Sequence, residues 1–208
     1  MNAIVRHHAL ANATPSRAPE PHFTVTVAST LDDLMQVMAV RNLVYVGEQE
    51  CPYGEEFDGN DFAGATHLIL RKGKEPVGTL RLRWFADFCK LERVAIRNEH
   101  RGARATFALV REAFRIAECK GYRKMLGHAQ VRLLPFWGRY FRGLPRTDRP
   151  GFVFSDHDYV EIVAEMTPPE DAITLDSDPI MLLRPEGAWH KPGVLDASTH
   201  RPATNPVG

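Results

Sequence analysis

The stretch that decides the fold reads Leu91-Glu92-Arg93-Val94-Ala95-Ile96-Arg97-Asn98-Glu99-His100-Arg101-Gly102-Ala103-Arg104-Ala105-Thr106. Its first six residues close an apolar segment, 88–96, that reads as a β-strand. From 105 to 119 the apolar Phe107, Val110, Phe114 and Ala117 recur at helical spacing, and Gly121 stops the run. A strand feeding a small-residue turn and then a helix is a physical device for holding phosphate. The first amides of a helix have no intrahelical partner, and the helix dipole favours an anion beside them. Gly102, Ala103 and Ala105 permit close backbone approach, while Arg97, Arg101 and Arg104 place positive charge where phosphates would sit. The same segment also reads as an ordinary loop with a solvated basic surface.

Outward from this segment the apolar period alternates between strand and helix. Residues 23–27 alternate as a strand, and Ser29 or Thr30 can cap a helix that carries Leu31, Leu34, Val37, Met38 and Val40. Residues 66–71 and 77–85 read as a hairpin about the turn Lys72-Gly73-Lys74-Glu75. Beyond the central helix come a strand at 125–129, a helix at 133–141, and strands at 152–154 and 159–166. The order predicts an α/β or α+β sandwich around a mixed sheet.

Proline marks the edges. Only five of the 15 prolines fall between Phe23 and Thr167, which predicts one compact core with irregular ends. Residues 1–22 are expected to be a disordered arm, 23–167 the folded domain, and 168–208 a Pro-rich extension. In that extension Asp178-Pro179-Ile180-Met181-Leu182-Leu183 is apolar enough to pack on the core. Lys+Arg 26 against Asp+Glu 26 gives no net charge, which argues against nucleic acid as a partner. No apolar run reaches the roughly 20 residues of a membrane span. Three widely spaced cysteines suggest neither a disulfide framework nor a zinc site, and a cytoplasmic location follows as the expectation. No metal site is expected.

On these residues the sequence resembles the GNAT acyltransferase superfamily, whose signature is Arg/Gln-x-x-Gly-x-Gly/Ala. Arg101 to Thr106 occupies that signature, with Arg104 and Thr106 at its two small-residue positions. Arg41 and Tyr45, then Glu48-Gln49-Glu50-Cys51-Pro52-Tyr53 and Asp58-Gly59-Asn60-Asp61, resemble the ElaA-like branch. So do Ala129-Gln130 and Pro135-Phe136-Trp137. The Arg41, Tyr45, Asp58, Asp61, Arg81 and Arg93 pattern is also similar to that of autoinducer synthases.

The resemblance implies a three-layer sandwich with a mixed, mostly antiparallel central sheet. It implies an N-acyltransferase that carries an acetyl or other acyl group from acyl-CoA to a small-molecule or amino-acid amine by direct attack. The donor contacts it implies are Val94, Ala95 and Ile96 on the strand, Arg101, Gly102, Ala103, Arg104, Ala105 and Thr106 in the loop, and Gln130. Arg41, Glu48, Asp58 and Arg81 would wall the acceptor pocket. Asp61, by contrast, reads most simply as turn chemistry in Asp-Gly-Asn-Asp.

Amine acylation needs a proton acceptor and a proton donor for the leaving thiolate. Glu92 stands where many relatives carry the base, against the alternative of an ion pair with Arg93 or a lysine. His128, at the end of the fifth strand, has an ordinary pKa suited to proton transfer. Trp137 replaces the family's usual tyrosine acid, and Tyr140, at i+3 on that face, can substitute; otherwise solvent protonates the sulfur. Two further readings accompany the first: a synthase of acylated amino acids or lactones with acyl carrier protein as partner, and a non-catalytic acyl-CoA sensor. A homodimer is compatible with each.

Overall fold

The computed structural model describes residues 22–141, 144–154 and 157–197. The expected arm over 1–22 lies outside these residues apart from His22, as do 198–208 at the other end. The first strand, β1 (Phe23–Val27), leads to helix α1 (Leu31–Arg41), which continues as a wider π-helical stretch over Asn42–Glu48. A single helical turn, α2 (Tyr53–Glu56), and an irregular loop follow. Three strands come next: β2 (Thr66–Lys72), β3 (Glu75–Trp84) and β4 (Cys89–Ile96). Helix α3 (Ala103–Cys119) leads to β5 (Lys124–Gln130) and helix α4 (Leu134–Tyr140). Strands β6 (Leu144–Pro145), β7 (Phe152–Phe154) and β8 (His157–Glu165) close the sheet, and the short α5 (Pro179–Leu182) lies beyond.

The strand order is β1-β2-β3-β4-β5-β8-β6, with β7 also on β8, and every pairing but one is antiparallel. The exception, β4 with β5, joins only Cys89–Leu91 to Met125–Gly127. The mixed, mostly antiparallel sandwich expected from the sequence is therefore the fold observed. Strand β6, two residues ending in proline, is too short to leave a periodic signal.

Local chemistry explains the elements. Thr30 caps α1 with a reciprocal box: its hydroxyl accepts the Asp33 amide at 3.1 Å while the Asp33 carboxylate accepts the Thr30 amide at 3.2 Å. Asp33 also accepts from Arg71 of β2 at 2.6 Å, pinning the helix start to the sheet. The β2–β3 turn is Gly73-Lys74, with Gly73 at φ 63° in the first central position, as a type II′ turn requires. Alternation along the strands sends Leu68, Leu70, Leu80, Leu82, Leu91 and Met125 to the α3 face. There they bury against Leu109, Ala113, Ile116 and Ala117. The opposite face carries α1 and a smaller cluster of Val40, Val44 and Ala95.

The C-terminal extension crosses back over α3 to β1. Lys120 donates to Glu186 at 2.8 Å, and Arg115 donates to the Gly187 carbonyl at 2.8 Å. Gly187 has φ +75°, and a Cβ there would sit 2.8 Å from Val27, so only glycine fits this crossing. Trp189 then buries in the main core. Among the described residues no helix is long and apolar enough to cross a membrane.

Candidate active site

Parallel pairing of β4 and β5 stops at Leu91 and Gly127, and beyond that point the strands separate. The gap opens a cavity of about 460 Å³ that passes through the sheet, within the usual range for small-ligand sites. On the α4 side it is walled by Leu91, Gly127, Trp137, Phe141 and Ile162. On the α1–α2 side its wall includes Glu55, Asp58, Arg83, Lys90, Glu92 and His128.

Strand β4 bulges where it borders the gap. Arg81 faces Glu92 and Thr79 faces Ala95, leaving Arg93 and Val94 opposite the single Leu80. Arg93 takes φ 52°, a left-handed backbone that costs a residue with a Cβ. Its side chain holds the distortion in place. Nη2 donates to the Glu55 carbonyl at 2.6 Å, and ion pairs reach Glu56 at 3.0 Å and Asp58 at 3.1 Å. Tyr45 donates to the Val94 carbonyl at 2.7 Å. Burial, with Glu56 adding to it, holds the Tyr45 phenol well above its ordinary pKa.

Behind this wall lies a buried ionic network. Arg41, fully buried, donates to Glu56 and to Asp61, and Arg81, also fully buried, reaches Asp61 at 2.8 Å, Asp58 at 2.6 Å and Glu92 at 2.8 Å. Burial alone would raise Asp58 and Asp61. Hydrogen bonds from Arg81 and the Asn60 amide to the first, and from Arg41 and Arg81 to the second, hold both below their ordinary values. For Glu56 burial wins over Arg41, and its carboxyl is pushed up.

The structure corrects four sequence-level placements. Arg41 and Arg81 line no acceptor pocket, because both guanidiniums are buried and spent on carboxylates. Asp61 is more than a turn residue, since it bridges those two arginines, although Asp58 does accept the Asn60 amide at 3.1 Å in turn fashion. Glu48 pairs with Arg101 across a second, polar pocket that also touches His157 and shares Gln49 and Arg132 with the main cavity, which Glu48 itself does not line. Arg97, Arg101 and Arg104 do not act as one free cluster. Arg97 is taken by Glu75 and Glu99 and Arg101 by Glu48, and only Arg104 makes no ion pair among the described residues.

Other expected residues divide between the cavity and its surroundings. Val94 and Gln130 line the cavity, Ala95 and Ile96 carry β4 onward, and Gly102 to Thr106 form the first turn of α3. Gln130 is buried; its amide donates to the Tyr159 hydroxyl at 2.9 Å while its own oxygen has no partner. Glu92 and His128 share the cavity. Glu92 is paired with Arg81 and Lys90 (2.9 Å), not with Arg93. The His128 ring lies 3.6 Å from Glu161, and burial followed by the Lys90 charge lowers its pKa. Tyr140 ends α4, with its side chain outside the described set. Arg83, Glu55 and Tyr159 also line the cavity and were not singled out in the sequence. Arg83 was discoverable, since it shares a strand face with Arg81 two residues earlier. Cys51 and Cys89 are buried, and burial pushes the Cys89 thiol up to about 12, which suits packing, not nucleophilic attack. Among the described residues no cluster of His, Cys, Asp and Glu could hold a metal ion.

Comparison with known proteins fits this geometry. The model of the acetyltransferase (GNAT) family matches residues 33–140. The chain is 28% identical over 114 residues to the uncharacterized N-acetyltransferase YjcF of Bacillus subtilis, covering 55% of this chain and 81% of that one. An acyl-CoA N-acyltransferase from Pseudomonas aeruginosa superposes with a TM-score of 0.60 at 24% identity, over 68% of this chain and 97% of the other. Escherichia coli ElaA gives 0.57 at 22% identity, over 68% and 98%. At these identities the two solved structures establish the fold.

Proposed function

Since the chain belongs to the GNAT acetyltransferase family, we propose that it moves an acetyl or other acyl group from acyl-CoA to the primary amine of a small molecule. The observation that carries this reading is the separation of β4 from β5 beside the start of α3. The residues present suit acyl-CoA. Past Leu91 the cavity edge of β4 has no strand partner, the amides that start α3 have no intrahelical partner and suit phosphate, and the buried Gln130 oxygen awaits a donor. Arg104, and Arg101 once released from Glu48, would add charge to the phosphate side.

The amine approaches from the α1–α2 side and attacks the thioester carbonyl carbon. A C–N bond forms, the C–S bond breaks, and the amine proton passes to His128. Burial keeps that imidazole neutral and ready to accept. Glu92, its carboxylate committed to Arg81 and Lys90, steadies the imidazolium. Backbone amides of the bulge at Arg93 and Val94 polarise the carbonyl. Tyr159 protonates the leaving sulfur. Its oxygen accepts from Gln130, and among the described residues its own proton is free, whereas the Tyr45 proton is spent on Val94.

The test is thiol release from acetyl-CoA across an amine panel, beside calorimetric binding of coenzyme A. His128→Gln should lower kcat by about 10²-fold or more and remove the acidic limb of the pH profile, and Tyr159→Phe should slow kcat without weakening coenzyme A. Unchanged turnover in His128→Gln removes the base assignment. Coenzyme A binding that is absent, or indifferent to Arg101→Glu, overturns the placement of the donor.

A further inference from the structure

Strands β3 and β4 and the α2 segment line the cavity with three cations, Arg83, Lys90 and Arg93, and three anions, Glu55, Asp58 and Glu92, while a further lining cation, Arg132, follows β5. Two pairs are made internally: Lys90 with Glu92 at 2.9 Å and Arg93 with Asp58 at 3.1 Å. Within the β3, β4 and α2 set one charge of each sign is left over. The nearest carboxylate to Arg83 is Glu92, 3.9 Å from its Nε and already held by Arg81 and Lys90. Among the described residues the terminal nitrogens of Arg83 make no hydrogen bond. The Phe85 ring, 5.1 Å from the guanidinium carbon, steadies the group without consuming its donors. Glu55 is the mirror case. Its backbone carbonyl is gripped by Arg93, while its carboxylate has a buried oxygen, Oε2, with no partner. A buried polar atom left unpaired costs free energy that a bound partner would recover.

From this leftover pair we infer that the acceptor is a zwitterion: an α-amino acid whose carboxylate is held bidentately by Arg83 and whose ammonium is received by Glu55. The inference rests on the transferase reading and narrows its acceptor. A guanidinium fork matches a carboxylate, and a carboxylate oxygen without a donor matches an ammonium. The ammonium gives one proton to solvent before attack, and His128 in the same cavity takes the second as the C–N bond forms. Phe152 and Phe154, whose side chains also line the cavity, give the remaining wall an apolar character, so the side chain accommodated is apolar or aromatic. Arg81, by contrast, is sealed behind Asp58 and Asp61 and takes no part in substrate recognition.

The experiment compares, by thiol release from acetyl-CoA, each apolar and aromatic amino acid with its amide and with the amine lacking the carboxyl group. The expected result is at least one amino acid whose kcat/KM exceeds that of its amide and its amine by tenfold or more. In Arg83→Met that ratio should collapse toward one, and Arg83→Lys should restore part of it. Glu55→Gln should raise KM for the amino acid more than it lowers kcat. An amide or simple amine used as well as the amino acid overturns the assignment, as does a ratio that Arg83→Met leaves intact. Turnover of amines but of no amino acid overturns it while the transferase reading stands; no turnover with any amine and no coenzyme A binding overturns both.

Discussion

Arg93 offers the sharpest test of how the site is built. Its backbone is left-handed at φ 52°, and its side chain, 15% exposed, clamps the turn that carries Glu55, Glu56 and Asp58. Replacing it by alanine removes the clamp and keeps the strain, because a Cβ at this φ costs about 1–2 kcal/mol. Glycine also removes the clamp but abolishes the strain. Loss of one partner from a buried ion pair costs about 3–5 kcal/mol, a cost common to both variants and moderated here by Arg41, which remains on Glu56. Arg93→Gly should therefore be more stable than Arg93→Ala by about 1–2 kcal/mol. That order inverts the usual one inside a strand, where glycine is the weaker residue. Urea unfolding followed by tryptophan fluorescence measures the difference. Turnover should follow the same order, since the bulge amides keep their direction only while the left-handed turn survives. An alanine variant as stable as the glycine variant would refute the reasoning and reduce Arg93 to an ordinary ion-pair residue.

His67 is buried with Nε2 on the Asp61 carbonyl and Nδ1 without a partner, and burial lowers its pKa as it does for His128. The unfolded chain takes up protons below about pH 6.5 that these folded imidazoles refuse. Stability should thus fall from pH 7 to 5 by at most about 1.4 kcal/mol per unit per group; calorimetry should show His67→Gln flattening that slope, and a flat wild-type profile contradicts it. Trp189→Ala should cost about 3–5 kcal/mol for a buried indole, and a loss under about 1 kcal/mol in urea would mean the extension adds little to the core. Glu48→Gln should tighten coenzyme A by up to about fivefold, since an exposed ion pair is worth about 1 kcal/mol or less. Weaker calorimetric binding would show that Glu48 helps the donor and does not compete for Arg101.

Much of the fold was legible because its signals are local. Thr30 and Asp33 form their cap within four residues, Gly73 makes its turn from its own φ, and the alternation through Leu68 and Leu70 records which face meets α3. The site was legible only in part. Glu92, His128 and Gln130 could be placed because they lie on strands whose pattern is local. The buried network could not, since Arg41, Glu56, Asp61, Arg81 and Arg93 find one another only after the sheet forms. Nothing in the order of residues says that Arg81 will be sealed while Arg83, two positions on, stays available. That difference is decided by the loop carrying Asp58 and Asp61, which covers one arginine and stops short of the next.

The return of the extension to the first strand has a consequence for the timing of folding. Strand β1 leaves the ribosome long before its cover at Gly187 and Trp189 is made. Until then the end of β1 at Val27, beside Ile116 of α3, lacks that cover, and the closure joins residues almost the whole domain apart. Such distant contacts form slowly, because the loop entropy must be overcome before any contact repays it. Nascent chains truncated before Trp189 should therefore be the species that most need a chaperone, with the final crossing as the step that releases them.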